Sequence, residues 1–346
     1  MLLLTGATGL VGSELLPLLE AARPDRPVLR LARPQNDLTL PDLGLDGAAR
    51  RRLEAEVTMI VHCAAETRFG LGLEQVRAVN VGGTRNLLGL ARRCRRLEKF
   101  VHLSTVYVAG RRTGVIPEAP AEGGHGFFNT YQQSKLEAEE AVLEARSEVP
   151  AAIFRFSSII GDSRTGRVRQ FNYVHQLLKL FPRNVLPVAP GDPRSPVDLV
   201  PTDWAAAAVA RLIEHAFVPG RIYQVCAGPA RSLTLAEMLD YTVELFGGSV
   251  RAPELVSLEE YEKYVERSRR QGDRLLNELL RVLGQFLPHL GLYQAFENRH
   301  TREELEGSGI ELPPAREFYR KVVAYCLATE WGRRGSAPAA PPTGTA

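Results

Sequence analysis

Tyr131 and Lys135 stand four residues apart in the run Tyr131-Gln132-Gln133-Ser134-Lys135. On a helix that spacing puts both side chains on one face. A free phenol has a pKa of about 10 and exchanges protons poorly at neutral pH; a neighbouring ammonium favours the phenolate and draws that value toward the working range. The pair therefore suits acid–base work on a reacting oxygen. With 10 tyrosines and five lysines (Lys99, Lys135, Lys179, Lys263, Lys321) in 346 residues, chance predicts about 0.14 such pairs; an ordinary surface helix is the competing reading. Upstream, Ser104-Thr105 closes an apolar run, and a hydroxyl at that point can hydrogen-bond an oxygen on which negative charge develops.

A second set of residues could hold a phosphate. In Leu4-Thr5-Gly6-Ala7-Thr8-Gly9-Leu10-Val11-Gly12, glycines recur every third position between an apolar strand pattern and a helical one. Such glycines permit a tight turn, close backbone approach and close helix–strand packing. The helix that follows offers free N–H groups and the positive end of its dipole to a pyrophosphate. A dinucleotide is the expected ligand. A carboxylate at the end of the second strand would bind the ribose 2′-OH of NAD. That strand ends Leu29-Arg30-Leu31-Ala32-Arg33, with no acid, so Arg33 is expected to meet the 2′-phosphate of NADP. NADP is expected over NAD, with Asp37 as the residue that could restore NAD binding.

The elements that must position these groups follow from the hydrophobic pattern. Continuous apolar runs predict strands over 2–5, 28–32, 57–64, 100–105, 151–156 and 222–226, and helical periodicity lies between them over 10–22, 73–95, 131–147 and 202–215. Alternating strands and helices give an α/β fold: a Rossmann-type, doubly wound parallel sheet. The last third is charged and helical over 257–286 and 316–331, with Pro288, Gly291, Pro313 and Pro314 as breakers. The expected division is a nucleotide-binding domain over 1–230, some elements of 160–200 joining the second lobe, a smaller, mostly helical substrate-binding region over 231–331, and a disordered tail over 332–346.

Composition narrows the class. Hydrophobic residues make up 45%, charged residues 24%, and the net charge is +3. That balance suits a globular protein and gives no reason to expect nucleic acid as a partner. Cys63, Cys94, Cys226 and Cys326 form no C-x-x-C pair, so neither a zinc site nor a disulfide framework is expected, and reduced thiols in the cytoplasm are. The apolar N-terminus lacks a basic region and is broken by Gly6, Gly9 and Gly12, so it reads as strand and turn rather than signal peptide. No apolar stretch approaches the roughly 18 residues of a membrane span.

Together these residues resemble the extended short-chain dehydrogenase/reductases, and within them the branch of thioester reductases and fatty acyl-CoA reductases. The resemblance rests on Thr5–Gly12, His62–Phe69, Asn80–Thr84, Leu103–Gly110 and Tyr131/Lys135, and most specifically on Gly161-Asp162-Ser163-Arg164-Thr165-Gly166 followed by Val197–Asp203. It implies a catalytic triad of Thr105, Tyr131 and Lys135, with Asn80 supporting the lysine through the helix or a water. It implies that Gly6, Thr8, Gly9, Leu10 and Val11 line the pyrophosphate, with Gly12 in the same turn, and that Asp37-Leu38 flank the adenine. Cys63-Ala64-Ala65 would pass the adenosine ribose, and Phe156, Ser157 and Ser158 would lie near the nicotinamide. Two departures stand out. Relatives place a helix and a strand between the second strand and the Asp-Leu pair, whereas here only Pro34-Gln35-Asn36 intervene after Arg33, against the roughly ten residues a crossover needs. Phe156 also replaces a frequent proline.

The resemblance implies NADPH-dependent reduction of an acyl thioester, on coenzyme A or on a separate carrier protein, to an aldehyde or alcohol. The apolar stretch Leu275–Tyr293 is expected to house the acyl chain, with plain helix packing as the alternative. Competing readings are a nucleotide-sugar epimerase or dehydratase, or a ketone reductase, on the same scaffold, and a non-catalytic NADP-binding regulator.

Overall fold

Six short runs of apolar residues form one parallel sheet: β1 (Leu2–Thr5), β2 (Val28–Leu31), β3 (Met59–His62), β4 (Lys99–Thr105), β5 (Ala151–Phe156) and β6 (Ile222–Val225). The computed structural model describes residues 1–32, 36–247, 250–271, 277, 280, 281, 283, 284 and 287–333. The strand order is β6-β5-β4-β3-β1-β2. Every residue of β1, β3 and β5 is buried, which is why these strands read as continuous apolar runs rather than alternating ones. The chain leaves β1 toward β2 and then returns to the other side of β1 with β3. At such a switch point a crevice opens beyond the carboxyl ends of β1 and β3.

Helices α1 (Gly12–Ala22), α2 (Gly47–Glu56), α3 (Leu73–Arg77), α4 (Gly83–Arg93), α5 (Thr130–Glu144) and α6 (Thr202–His215) connect the strands. The expected helix over 73–95 is interrupted by a π-helical turn at Ala78–Gly82. Sequence periodicity did not reveal α2, because Leu53 is its one buried residue and the rest is polar or small. Its start is nonetheless encoded: the Asp46 carboxylate accepts hydrogen bonds from the Ala48 and Ala49 amides.

Between Leu31 and Asp37 the described residues form no helix and no strand, in keeping with the short connection. The following turn, Pro41–Gly44, puts Asp42 and Leu43 at φ of 49° and 63°. Asn86 of α4 holds it by donating to the carbonyls of Leu38 and Leu40.

The chain forms two compact units. Of the described residues, the first comprises those of 1–157, 205–226 and 294–310; the second comprises those of 158–204, 227–293 and 311–333. A single boundary near residue 230 is therefore replaced by repeated crossings, with 158–204 in the second unit. In the first unit, Gln294–Phe296 pairs with Gly114–Ile116, and Phe296 is buried with Val106, Ile116 and Cys226.

The second unit combines helices with short strands. It contains two- and three-residue strands, such as Ser158–Ile159 paired with Leu199–Val200 and Val188–Pro190 paired with Glu254–Val256. Pieces so short show no periodicity in sequence. Its core gathers on the helix Ala315–Ala328, through Phe318, Tyr319, Val322, Val323 and Cys326.

The Gly161–Gly166 turn lies against that helix. Gly166 has φ +71°, and a Cβ there would stand 2.1 Å from the Lys321 carbonyl oxygen. The Asp203 carboxylate accepts from the Ser163 amide at 2.8 Å and from its hydroxyl at 2.6 Å, so the two branch-specific segments are bonded to each other. Gly332 and Arg333, expected in the tail, close a turn on Thr329 and Glu330. Residues 334–346 lie outside the described residues. No described helix is long and apolar enough to cross a membrane.

Candidate active site

The carboxyl end of β4 and the first turns of α5 bring the hydroxyls and the Tyr–Lys pair onto one unit. Asn129 starts α5 by accepting from the Gln132 amide, which places Tyr131 in the first turn and Lys135 in the second. The Arg155 guanidinium of β5 locks this helix to the sheet. It donates to the Glu139 carboxylate at 2.7 Å with both side chains buried, and to the Ala119 carbonyl at 2.9 Å.

Tyr131 is half-buried, its ring 5.8 Å from that of Phe69. Lys135 is 2% exposed. Its Nζ donates to the Leu103 carbonyl at 2.8 Å and lies 3.2 Å from His102 Nε2. Burial holds Lys135 down to about 8, while the Glu139 carboxylate and Cys63 act upward. The expected depression of the Tyr131 pKa is not found. Burial, with the Glu139 charge, pushes the phenol well above its ordinary value, and the ammonium is directed to Leu103 and His102.

Thr105 is buried at the end of β4. Its hydroxyl donates to the Phe156 carbonyl at 3.3 Å and accepts from the Tyr107 amide at 3.3 Å. Ser104 Oγ is buried with no hydrogen-bond partner among the described residues. Asn80 sits in the π-helical turn. Its Nδ2 donates to Ser134 Oγ and to the Glu66 carbonyl, and its Oδ1 accepts from the Glu66 amide. Asn80 thus reaches the residue before Lys135, rather than the lysine itself.

The glycine turn has the shape a phosphate cradle needs. Gly6 has φ +68°, and a Cβ there would stand 2.6 Å from the Ala64 amide nitrogen; one on Gly12 would meet the Gly6 carbonyl oxygen at 2.2 Å. The turn and the residues after β3 therefore touch backbone to backbone. No side chain caps the N-terminus of α1; its Ser13 and Glu14 amides donate to the Gly9 and Val11 carbonyls, and Thr8 and Gly9 are exposed in the turn before it. This backbone fits a dinucleotide pyrophosphate.

The remaining expected residues are placed as follows. Cys63 is half-buried beyond β3, its thiol pushed up to about 12 by burial. Asp37 accepts from the Thr39 amide and hydroxyl, and Leu38 packs against the core below α4. Phe156 ends β5, the Ser157 amide donates to the Val225 carbonyl, and the Ser158 hydroxyl bonds the Tyr173 hydroxyl in the second unit. Arg33 lies outside the described residues.

Two residues that sequence reasoning passed over stand beneath the pair. Thr5, His62 and His102 are in register on β1, β3 and β4, and the two histidine rings are 5.4 Å apart. The signal was present as a histidine inside each of two apolar strands. The second unit also has an apolar pocket lined by Leu178, Leu199, Met238, Leu239, Leu255 and Leu287, among others, with a cavity volume of about 70 Å³. Of the stretch expected to hold an acyl chain, Leu287 and Leu290 line this cavity, whereas 275, 276, 278, 279, 282, 285 and 286 lie outside the described residues.

An NAD-binding family model described as male sterility protein matches residues 30–209, just over half of the chain. A probable fatty acyl-CoA reductase of Arabidopsis thaliana is 23% identical over 267 residues, 61% of this chain and 54% of that protein. A dTDP-4-keto-6-deoxy-D-glucose reductase of Streptomyces niveus is 31% identical over 241 residues, 68% of this chain and 76% of that one. The crystal structure of the terminal R domain from the myxalamid PKS-NRPS biosynthetic pathway superposes with a TM-score of 0.78 at 26% identity, covering 95% of this chain and 91% of that domain. The chain spans about half the length of the plant reductases it matches. By its sheet order, its glycine turn and this match, the chain belongs to the NAD-binding male sterility protein family, in the thioester reductase branch of the extended short-chain dehydrogenase/reductases.

Proposed function

We propose that this chain reduces the carbonyl of an acyl thioester, carried on coenzyme A or on a separate carrier protein, with NADPH. The observation that carries the reading is the apolar cavity of the second unit, in a chain similar over 95% of its length to a terminal R domain. Its aliphatic walls suit an acyl chain and offer little to a sugar nucleotide, which needs hydrogen-bond donors and acceptors. The relatives named fatty acyl-CoA reductases point the same way. NADPH rather than NADH rests on Arg33, which follows the second strand in sequence where no acid stands.

In this reading the α1 N-terminus and the Gly6–Gly12 turn hold the pyrophosphate. When bound, NADPH supplies a hydride to the carbonyl carbon. Tyr131 hydrogen-bonds the oxygen as charge develops on it and passes it a proton, and Thr105 joins it by turning its hydroxyl from the Phe156 carbonyl to that oxygen. The raised phenol pKa keeps Tyr131 protonated, the form an acid requires. Lys135, with two of its three N–H groups engaged among the described residues, keeps one for a ribose hydroxyl. Departure of the thiol from the resulting hemithioacetal leaves an aldehyde, and a second reduction would give an alcohol.

The sugar-nucleotide relative motivates a second reading, reduction of a nucleotide-linked ketosugar. NADPH oxidation measured against acyl-CoAs of graded length, an acylated carrier, aldehydes and a dTDP-4-keto-6-deoxy sugar, with products identified, separates the two. Turnover of the ketosugar with no turnover of any thioester would overturn the proposal.

A further inference from the structure

Lys135 is buried, and a buried ammonium needs acceptors. One is the Leu103 carbonyl, 2.8 Å from Nζ, and the second is His102 Nε2, 3.2 Å away. His102 is 0% exposed and lies within β4, between Val101 and Leu103, where an aliphatic side chain would normally fill the space.

The neighbouring histidine shows what a purely structural one looks like here. Thr84 Oγ1 donates to the Asn80 carbonyl at 2.6 Å, so toward His62 it accepts, and Nε2 donates at 3.0 Å. Thr5 Oγ1 accepts from the Ala64 amide and donates to His62 Nδ1 at 2.8 Å. Both nitrogens of His62 are satisfied and its tautomer is fixed. His102 differs. Toward an ammonium its Nε2 must accept, so its proton sits on Nδ1, and Nδ1 is buried with no partner among the described residues. An orphaned buried N–H destabilises the fold. The hydrogen bond this ring does make is to Lys135.

We infer that His102 is a positioning residue for the reductase chemistry: its Nε2 lone pair fixes the Lys135 ammonium beneath the Tyr131 helix turn and favours its charged form. The inference rests on the proposed role of Lys135 and concerns how that role is held. The other ionisable groups around Lys135 are Cys63 beyond β3, His62 on β3, and Tyr131 and Glu139 on α5; Glu139 is paired with Arg155. Burial already pulls Lys135 down to about 8, so the loss of an acceptor is felt within an accessible pH range.

The chain has five lysines, so selective ¹³Cε-lysine labelling gives a resolvable NMR titration, with Lys135 assigned by its absence from a Lys135→Arg spectrum. In the ligand-free protein, His102→Leu is expected to lower the Lys135 titration midpoint by about one pH unit, the worth of a hydrogen bond to a charged group. His102→Gln, whose amide oxygen reaches the place of Nε2, restores the midpoint. His102→Asn, too short to reach, behaves like the leucine variant and serves if that variant fails to fold. The alkaline limb of kcat/KM moves with the midpoint. An unmoved midpoint in the leucine and asparagine variants overturns the inference, and so does a glutamine variant that titrates as they do. Because the titration needs no substrate, a failed thioester assay leaves it standing, and the two readings fail separately.

Discussion

Asn80 Nδ2 donates to Ser134 Oγ at 2.9 Å, so a buried amide in a π-helical turn is bonded to the helix that carries Tyr131 and Lys135. The same side chain also satisfies the backbone N–H and C=O of Glu66. Asn80→Ala leaves the Glu66 backbone groups without this partner in a part-buried site and removes the bond to Ser134. A loss of about 2 kcal/mol is expected, read as a lower midpoint in thermal or urea unfolding. A midpoint equal to wild type would show that the amide does not bridge these segments.

Tyr131→Phe keeps the ring against Phe69 and removes the proton donor. NADPH oxidation is expected to fall by about 10²–10⁴-fold, while NADPH binding, followed by fluorescence, stays within a few-fold of wild type. Full turnover in this variant would remove Tyr131 from the chemistry.

The cavity gives a length-dependent prediction. Met238→Trp fills space between Leu178, Leu199 and Leu255. KM for long-chain acyl-CoAs should rise roughly tenfold or more, with short aldehydes little affected. Equal effects on both would place the chain elsewhere.

Gly166 tests the branch-specific turn. Its φ of +71° and the 2.1 Å that a Cβ would leave to the Lys321 carbonyl oxygen make Gly166→Ala strained and clashing at once. Destabilisation of about 2 kcal/mol or more is expected, measured by urea unfolding. Wild-type stability would mean the turn can move away from the final helix.

Acid should unfold the protein through its buried histidines. Burial holds His62 down to about 3, from an ordinary 6.5, and His102 well below the same value. Above pH 6.5 folded and unfolded chains are both neutral at these rings. As pH falls below that, the unfolded chain takes up protons that the folded one refuses, so stability falls, by about 1.4 kcal/mol per pH unit for each ring. Urea midpoints at pH 7, 6, 5 and 4, compared with those of His62→Gln, should show a shallower decline in the variant by one proton. Parallel slopes would contradict the buried, neutral state of His62.

Much of this arrangement was legible before any coordinates. Strands buried on both faces are mostly apolar, so β1, β5 and β6 stood out as runs despite Arg155 and Gln224, and the i, i+4 spacing alone put Tyr131 and Lys135 on one helix face. The glycine turn was readable because a positive φ and a 2.6 Å approach admit no other residue at Gly6. Helix α2 was not, since a helix burying one leucine has no apolar stripe to show.

What the tertiary structure decided are the relations between residues distant in the chain. It paired Lys135 with His102, 33 positions away, rather than leaving its charge to lower the Tyr131 pKa. It drew the cavity walls from residues within 173–199, 235–255 and 287–290 and from Tyr319, none of which announces a chamber by itself. Local sequence specifies backbone conformation and which face of an element is apolar. Which buried group meets which acceptor is set only when separate strands and helices pack, because desolvation and hydrogen bonding depend on neighbours that the sequence does not order by proximity.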